Sequence, residues 1–242
     1  MKLIKVALQA TGLLTGLFTL YLLVVAFMPG ISVPEQPLKK PKKAARVAEK
    51  KPAGSRQDVT FTVNGVTIGA WLYLPENVQP PVPCIIMGHG LGGTRQTGLD
   101  HYAVHFQAAG FAVLVFDYRH FGGSAGEPRQ LIWIPYQLED WSATITYARS
   151  LKNIDPARIG LWGTSLSGGH VIVTAARDHQ IACVSAQCPG LDGRASALMG
   201  FKREGLGHGL RMIMHAQRDL VRSWFGRSAH TMPIAGKPGT VA

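Results

Sequence analysis

The run Arg158-Ile159-Gly160-Leu161-Trp162-Gly163-Thr164-Ser165-Leu166-Ser167-Gly168-Gly169 constrains the fold more than any other stretch of the chain. An apolar stretch of strand character runs into a serine among small residues, and a helix-like segment follows. A strand–turn–helix of this kind lifts a Ser hydroxyl to the top of a parallel sheet on a strained backbone, as a nucleophile elbow does. Small neighbours are needed because strand and helix backbones approach closely there. Gly163 stands two before Ser165. Ser167 stands two after it, where the usual pattern has glycine, so the run reads G-x-S-x-S-G with Gly168 closing it. A serine among glycines can also be an ordinary turn.

Two further runs bear on the choice. Cys84-Ile85-Ile86-Met87-Gly88-His89-Gly90-Leu91-Gly92-Gly93 is an apolar strand ending in glycines, upstream of Ser165. Phe111-Ala112-Val113-Leu114-Val115-Phe116 is a second buried-strand pattern, and it leads into Asp117-Tyr118-Arg119-His120-Phe121-Gly122-Gly123-Ser124, a D-x-R-x-x-G-x-S loop. Any one of the three could be an ordinary βα turn. Three in this order and spacing are hard to reach by chance.

On these motifs the chain resembles the α/β-hydrolase superfamily over roughly residues 58–192. The nearest branch groups acetylxylan-esterase-like, dienelactone-hydrolase-like and Xaa-Pro-dipeptidyl-peptidase-like domains. The resemblance implies a mainly parallel α/β-hydrolase sheet with flanking helices. It implies that Ser165 is the nucleophile and that the backbone N–H groups of Leu91 and Leu166 form the oxyanion hole. His89, Gly90, Gly163 and Gly168 would then be supporting motif residues, with His89 structural. One fold carries many activities, so these motifs say little about substrate.

Periodicity agrees with such a sheet. Val59–Val63 and Thr67–Leu74 alternate as strands around an Asn64-Gly65 hairpin turn. Strands are expected at Cys84–Met87, Phe111–Phe116, Arg158–Trp162 and Ile181–Gln187. Helices are expected at Leu99–Ala109, Gln137–Ser150 and Leu166–Arg177. Strands alternating with helices imply a parallel sheet with helices on both faces. Its ligand site lies at the carboxyl ends of the strands, where all three motif loops fall.

The formal net charge of +11 invites a nucleic-acid reading. Residues 1–58 carry +7 of it, so the basicity is mostly a property of the amino-terminal tail, and that reading loses its support. Val6 to Met28 holds no charged residue, and about 23 apolar residues suffice to cross a membrane as a helix. A signal peptide is the alternative, but its apolar core is usually shorter, about 7–15 residues, and Ala26-Phe27-Met28 is a poor cleavage site. The expected organisation is a transmembrane anchor over 1–28, a Pro/Lys-rich linker over 29–57, a partial hydrolase core over 58–192 and a lid-like helical segment over 193–242. The linker holds Lys39, Lys40, Lys42, Lys43, Arg46, Lys50 and Lys51, which could touch anionic lipid. Five Lys/Arg follow the span closely and two precede it. The balance of cations favours a cytoplasmic catalytic domain on a single-pass protein, with an external domain still open.

Cys84, Cys183 and Cys188 show no metal spacing, and three is odd for a disulfide framework, so buried free thiols are expected. Nothing in the sequence calls for a metal or an organic cofactor. After residue 192, Leu206, Leu210, Ile213, Met214, Leu220, Val221 and Trp224 recur at helical spacing with Arg211, Arg218 and Arg222 between them. An amphipathic helix packed on the body is the favoured reading, and a membrane-surface helix the other.

The resembled family carries its triad acid and histidine in the order Ser…Asp/Glu…His, in loops after two further strands. The sequence stops at Ala242 before such loops, so the last strands are expected to be missing. Asp192 follows a strand and is the acid candidate. His170, His179, His208, His215 and His230 lie outside the family's context. Two functions stay open. One is a membrane-anchored serine hydrolase acting on an ester or peptide-like amide through an acyl-enzyme. The other is a truncated or non-catalytic protein of the same fold, lacking the triad acid and His.

Overall fold

The computed structural model describes residues 2–28, 54–76 and 78–234. Most of the expected linker, and the stretch after residue 234, lie outside the described residues. The elements in chain order begin with helix α1 (Lys2–Phe27), then strands β1 (Gly54–Val63), β2 (Val66–Pro75) and β3 (Val82–Gly88). Helix α2 (Leu99–Ala108), β4 (Ala112–Phe116), α3 (Ile134–Ser150), β5 (Ile154–Thr164), α4 (Leu166–Arg177) and β6 (Cys183–Gln187) alternate after them. Helices α5 (Gly193–Glu204) and α6 (Leu206–Trp224) close the described chain.

β1 and β2 form a hairpin in which Val63 pairs with Val66. Its two-residue turn needs positive φ at both central positions, and Asn64 (48°) and Gly65 (79°) supply them. The sheet order is β1-β2-β4-β3-β5-β6. β4, β3, β5 and β6 run parallel, and β2 meets β4 antiparallel, so the sheet is mixed with a parallel majority.

Every residue of β4 is buried, as expected of a central strand covered on both faces. Its side chains alternate between two cores. Leu114 and Phe116 join Ile86, Leu161, Trp141, Ile145 and Val171 under α3 and α4. Val113 and Val115 join Met87, Trp162, Trp71, Leu99 and Ala103 under α2. The helix after β3 therefore covers one face, and the helices after β4 and β5 cover the other. At the carboxyl end of β3 the loops leave toward opposite faces and open a crevice, which is where open α/β sheets bind ligands.

β6 has one neighbour among the described strands, and Cys183, Val184, Ser185 and Gln187 are exposed. The expectation of buried thiols therefore holds for Cys84 alone, since Cys183 and Cys188 are exposed free cysteines. A strand with cover on both sides buries its cysteine, and an edge strand does not.

The chain divides into two compact units. One holds the sheet with α2, α3 and α4 and extends to Gly193; the other holds α1 with the helices from Arg194 onward. In the second unit α6 packs on the carboxyl-terminal end of α1, where Val25, Ala26 and Leu22 cluster with Val221. The residues expected to recur along one amphipathic helix, Leu206 to Trp224, all lie in α6; α5 precedes it, separated at Gly205, whose φ of 82° breaks the helix.

Candidate active site

Ser165 stands between the end of β5 and the first turn of α4 with φ 55° and ψ −119°. A positive φ is unfavourable for a residue with a Cβ, and surrounding contacts must hold it there. They do so through the backbone. Ser165 N donates to Gln187 O (2.9 Å), and Ser165 O accepts from Gly190 N (2.8 Å) and Gly168 N (3.0 Å). The elbow is thus fastened to the end of β6. A Cβ on Gly163 would overlap the Ser167 carbonyl, so strand and helix meet there only because residue 163 is glycine. Gly168 is as restricted, since its Cβ would sit 2.9 Å from Pro189 Cα. The Ser165 side chain is exposed at the top of this turn.

The loop after β3 lies against it. A Cβ on Gly90 would stand 3.1 Å from Ser165 Cβ and 3.7 Å from its Oγ. Leu91 follows Gly90 in this loop. Leu166 opens α4, where an N–H has no acceptor within the helix. His89 is buried beneath the loop, with Nδ1 2.9 Å from Gly90 O and its ring edge-on to Tyr118.

The loop after β4 braces the loop after β3. Buried Asp117 accepts from Arg95 N (2.6 Å) and from Gly123 N (2.9 Å), and Arg95 Nε lies 3.3 Å from its carboxylate. Ser124 Oγ donates to Asp117 O (2.7 Å) and accepts from Gly69 N (2.9 Å). A side chain at Gly122 (φ 47°) would overlap the Asp117 carboxylate. Arg119 Nε donates to Asp140 Oδ1 (2.7 Å), and Arg119 N donates to Asp140 Oδ2 (2.9 Å). Burial pushes Asp140 up to about 6 against the pull of Arg119. Each residue of the D-x-R-x-x-G-x-S run thus has a part in holding this corner.

Under the elbow lies a polar group that the sequence reading missed. Tyr118 Oη is 2.7 Å from Ser167 Oγ and 3.2 Å from His170 Nδ1, and it accepts from Trp141 Nε1 at 2.7 Å. All four side chains are buried. Burial, with His89 nearby, lowers His170 to about 4, so its imidazole is neutral at pH 7. The members come from the loop after β4, from α3 and from α4, and no local spacing marks them as neighbours.

No hydrogen bond joins Ser165 Oγ to a histidine among the described residues. Asp192 is exposed in the loop between β6 and α5. His170 engages Tyr118, and His215 Nδ1 lies 2.7 Å from His230 Nε2 in the other unit. Among the described residues no cluster of His, Cys, Asp and Glu suits a metal ion.

A model of the X-Pro dipeptidyl-peptidase (S15 family) matches residues 64–222, well over half of the chain. The chain belongs to that family. Among curated relatives of this S15-family chain, the quorum-quenching protein AidA of Acinetobacter baumannii is 46% identical over 185 residues, covering 76% of this chain and 59% of that protein. The thiohydrolase aneE of Aspergillus aculeatus is 37% identical over 129 residues, 53% of this chain and 40% of its own length. The crystal structure of the α/β hydrolase GrgF from Penicillium sp. sh18 superposes with a TM-score of 0.63 at 26% identity, over 77% of this chain and 61% of that one. The α/β-hydrolase fold expected from the three motif runs is therefore correct. The S15-family chain spans about half the length of the curated relatives it matches.

Proposed function

We propose that this S15-family chain carries the nucleophile half of a serine hydrolase, with Ser165 attacking an ester or amide carbonyl. The observation that carries the reading is the backbone of Ser165, held at φ 55° and ψ −119° between a strand end and a helix start. Such strain persists only where the surroundings enforce it, and it clusters at functional sites.

In this mechanism the Ser165 oxygen bonds to the carbonyl carbon while its proton passes to a general base. The carbonyl oxygen becomes an oxyanion held by the N–H groups of Leu91 and Leu166. Collapse expels the alcohol or amine, which takes the proton, and leaves an acyl-serine for water to hydrolyse. Oxyanion stabilisation of this kind is worth roughly 3–4 kcal/mol per donor. The thiohydrolase aneE among the relatives supports a hydrolytic reading of this kind. Asp192 is the acid candidate. Helix α1, apolar from Gln9 to Phe27 with mean hydropathy 2.0, serves as a single-pass anchor, and the cations after it favour a cytoplasmic hydrolase unit.

A second reading, a non-catalytic protein of this fold, is favoured by the lack of a histidine on Ser165 Oγ among the described residues. Hydrolysis of p-nitrophenyl acetate separates the two. The hydrolase reading expects turnover above the roughly 10³–10⁴-fold over water that binding and an oxyanion hole alone supply, and the non-catalytic reading expects no such excess. Ser165→Ala should remove the excess. Turnover that Ser165→Ala leaves unchanged would overturn the assignment.

A further inference from the structure

Helix α6 is amphipathic, and most of its apolar stripe is exposed. Leu206, Leu210, Ile213, Met214, Leu220 and Trp224 fall on one stripe at helical spacing, and all six are exposed, Leu206 by 77% and Trp224 by 63%. Val221, on the same stripe, is buried against α1, and the opposite stripe is polar and makes contacts of its own. Arg222 is buried and donates from Nε to Ser228 O (3.0 Å) and from Nη2 to Ser228 Oγ (2.9 Å). His215 meets His230, whose N–H donates to Asp219 (2.7 Å). A helix on a water-exposed surface does the reverse and buries its apolar stripe. A contiguous exposed apolar stripe marks an interaction surface.

We propose that α6 lies along the surface of a lipid bilayer, with that stripe in the boundary between headgroups and acyl chains. The proposal rests on the reading of α1 as a membrane anchor. Continuity with α1 favours lipid over a protein partner. Among the described residues, α6 joins α1 near the end of the apolar run. Tyr21 Oη is 3.3 Å from Gln217 Oε1, and Val221 packs on Leu22, Val25 and Ala26. Arg222 donates to the carbonyl of Met28, and the Arg227 guanidinium sits 4.5 Å over the Phe27 ring. Tyr21 to Met28 spans about 10 Å of helix. That matches the depth of roughly 5–10 Å at which amphipathic helices settle in a bilayer. Tyr21 and Trp224 suit the aromatic belt at that level. Lys202, Arg203, Arg211 and Arg227, all exposed, supply cations for anionic headgroups.

The test places nitroxide labels on the full chain in vesicles of phosphatidylcholine and phosphatidylglycerol. The exposed cysteines are first removed by Cys183→Ser and Cys188→Ser, and buried Cys84 is kept. Single labels then enter through Phe18→Cys on α1, Ile213→Cys on the apolar stripe and Arg211→Cys on the polar side. All three positions are exposed, so the fold should tolerate them. The label at 213 should collide several-fold more with lipid-dissolved oxygen, and several-fold less with an aqueous nickel chelate, than the label at 211. The label at 18 should lie deeper than either. A label at 213 in water with the label at 18 in lipid would overturn the proposal and leave the anchor standing. A label at 213 shielded from both reagents would show a protein cover, a second copy included, and would also overturn it. Labels at 18 and 213 both in water would sink the anchor and the proposal together.

Discussion

Ser167 occupies a place where glycine is usual, and its hydroxyl has a use there. Oγ lies 2.7 Å from Tyr118 Oη, in a buried group that also ties in Trp141 and His170. The departure from the common motif is therefore compensated from below the elbow. Replacement by the commoner residue, Ser167→Gly, should destabilise the protein by about 2 kcal/mol, combining a lost buried hydrogen bond with the greater chain entropy of glycine. Urea unfolding measures this, and an unchanged midpoint would contradict the role given to the hydroxyl. Ser165 and Gly163 stand out in the sequence because a tight strand-to-helix turn demands small residues at fixed local spacing, and Gly90 because it follows directly on an apolar strand run. Trp141 and His170 could not, because they reach Tyr118 across 23 and 52 positions of chain.

The central strands were readable for a physical reason. Cys84–Met87 and Phe111–Phe116 are unbroken apolar runs because both faces of β3 and β4 are covered. Asn64-Gly65 was readable because few other pairs accept two positive φ values. The edge strand was read less well. The sequence of β6 resembles a buried strand, yet Cys183 and Val184 are exposed at the end of the sheet. Such an edge presents unpaired backbone groups that invite association. The cysteines report on it directly. Burial pushes Cys84 up to about 12, so at neutral pH it is a shielded, protonated thiol. Iodoacetamide should alkylate Cys183 and Cys188 in the native protein and Cys84 only on unfolding. Rapid alkylation of Cys84 without denaturant would contradict the strand arrangement.

The molecule joins a hydrolase-fold unit to a unit built on an apolar helix, and the two make separate demands on their surroundings. Among α1 residues Leu13, Leu14, Leu17, Phe18 and Leu20 are more than half exposed, an arrangement suited to lipid rather than to water. Carbonate extraction of membranes from cells making the protein should leave it in the pellet, and deletion of residues 1–57 should release it. Recovery of the intact chain in the soluble fraction would remove the anchor from the account.

The central claim is that the strained serine at the top of β5 is the nucleophile. A fluorophosphonate traps a single attack by an activated serine and needs no turnover, so it reports on the nucleophile directly. After labelling, peptide mass mapping should place the phosphonyl group on Ser165 and nowhere else, and the Ser165→Ala protein should carry none. An adduct on another residue, or equal labelling of Ser165→Ala, would contradict the claim.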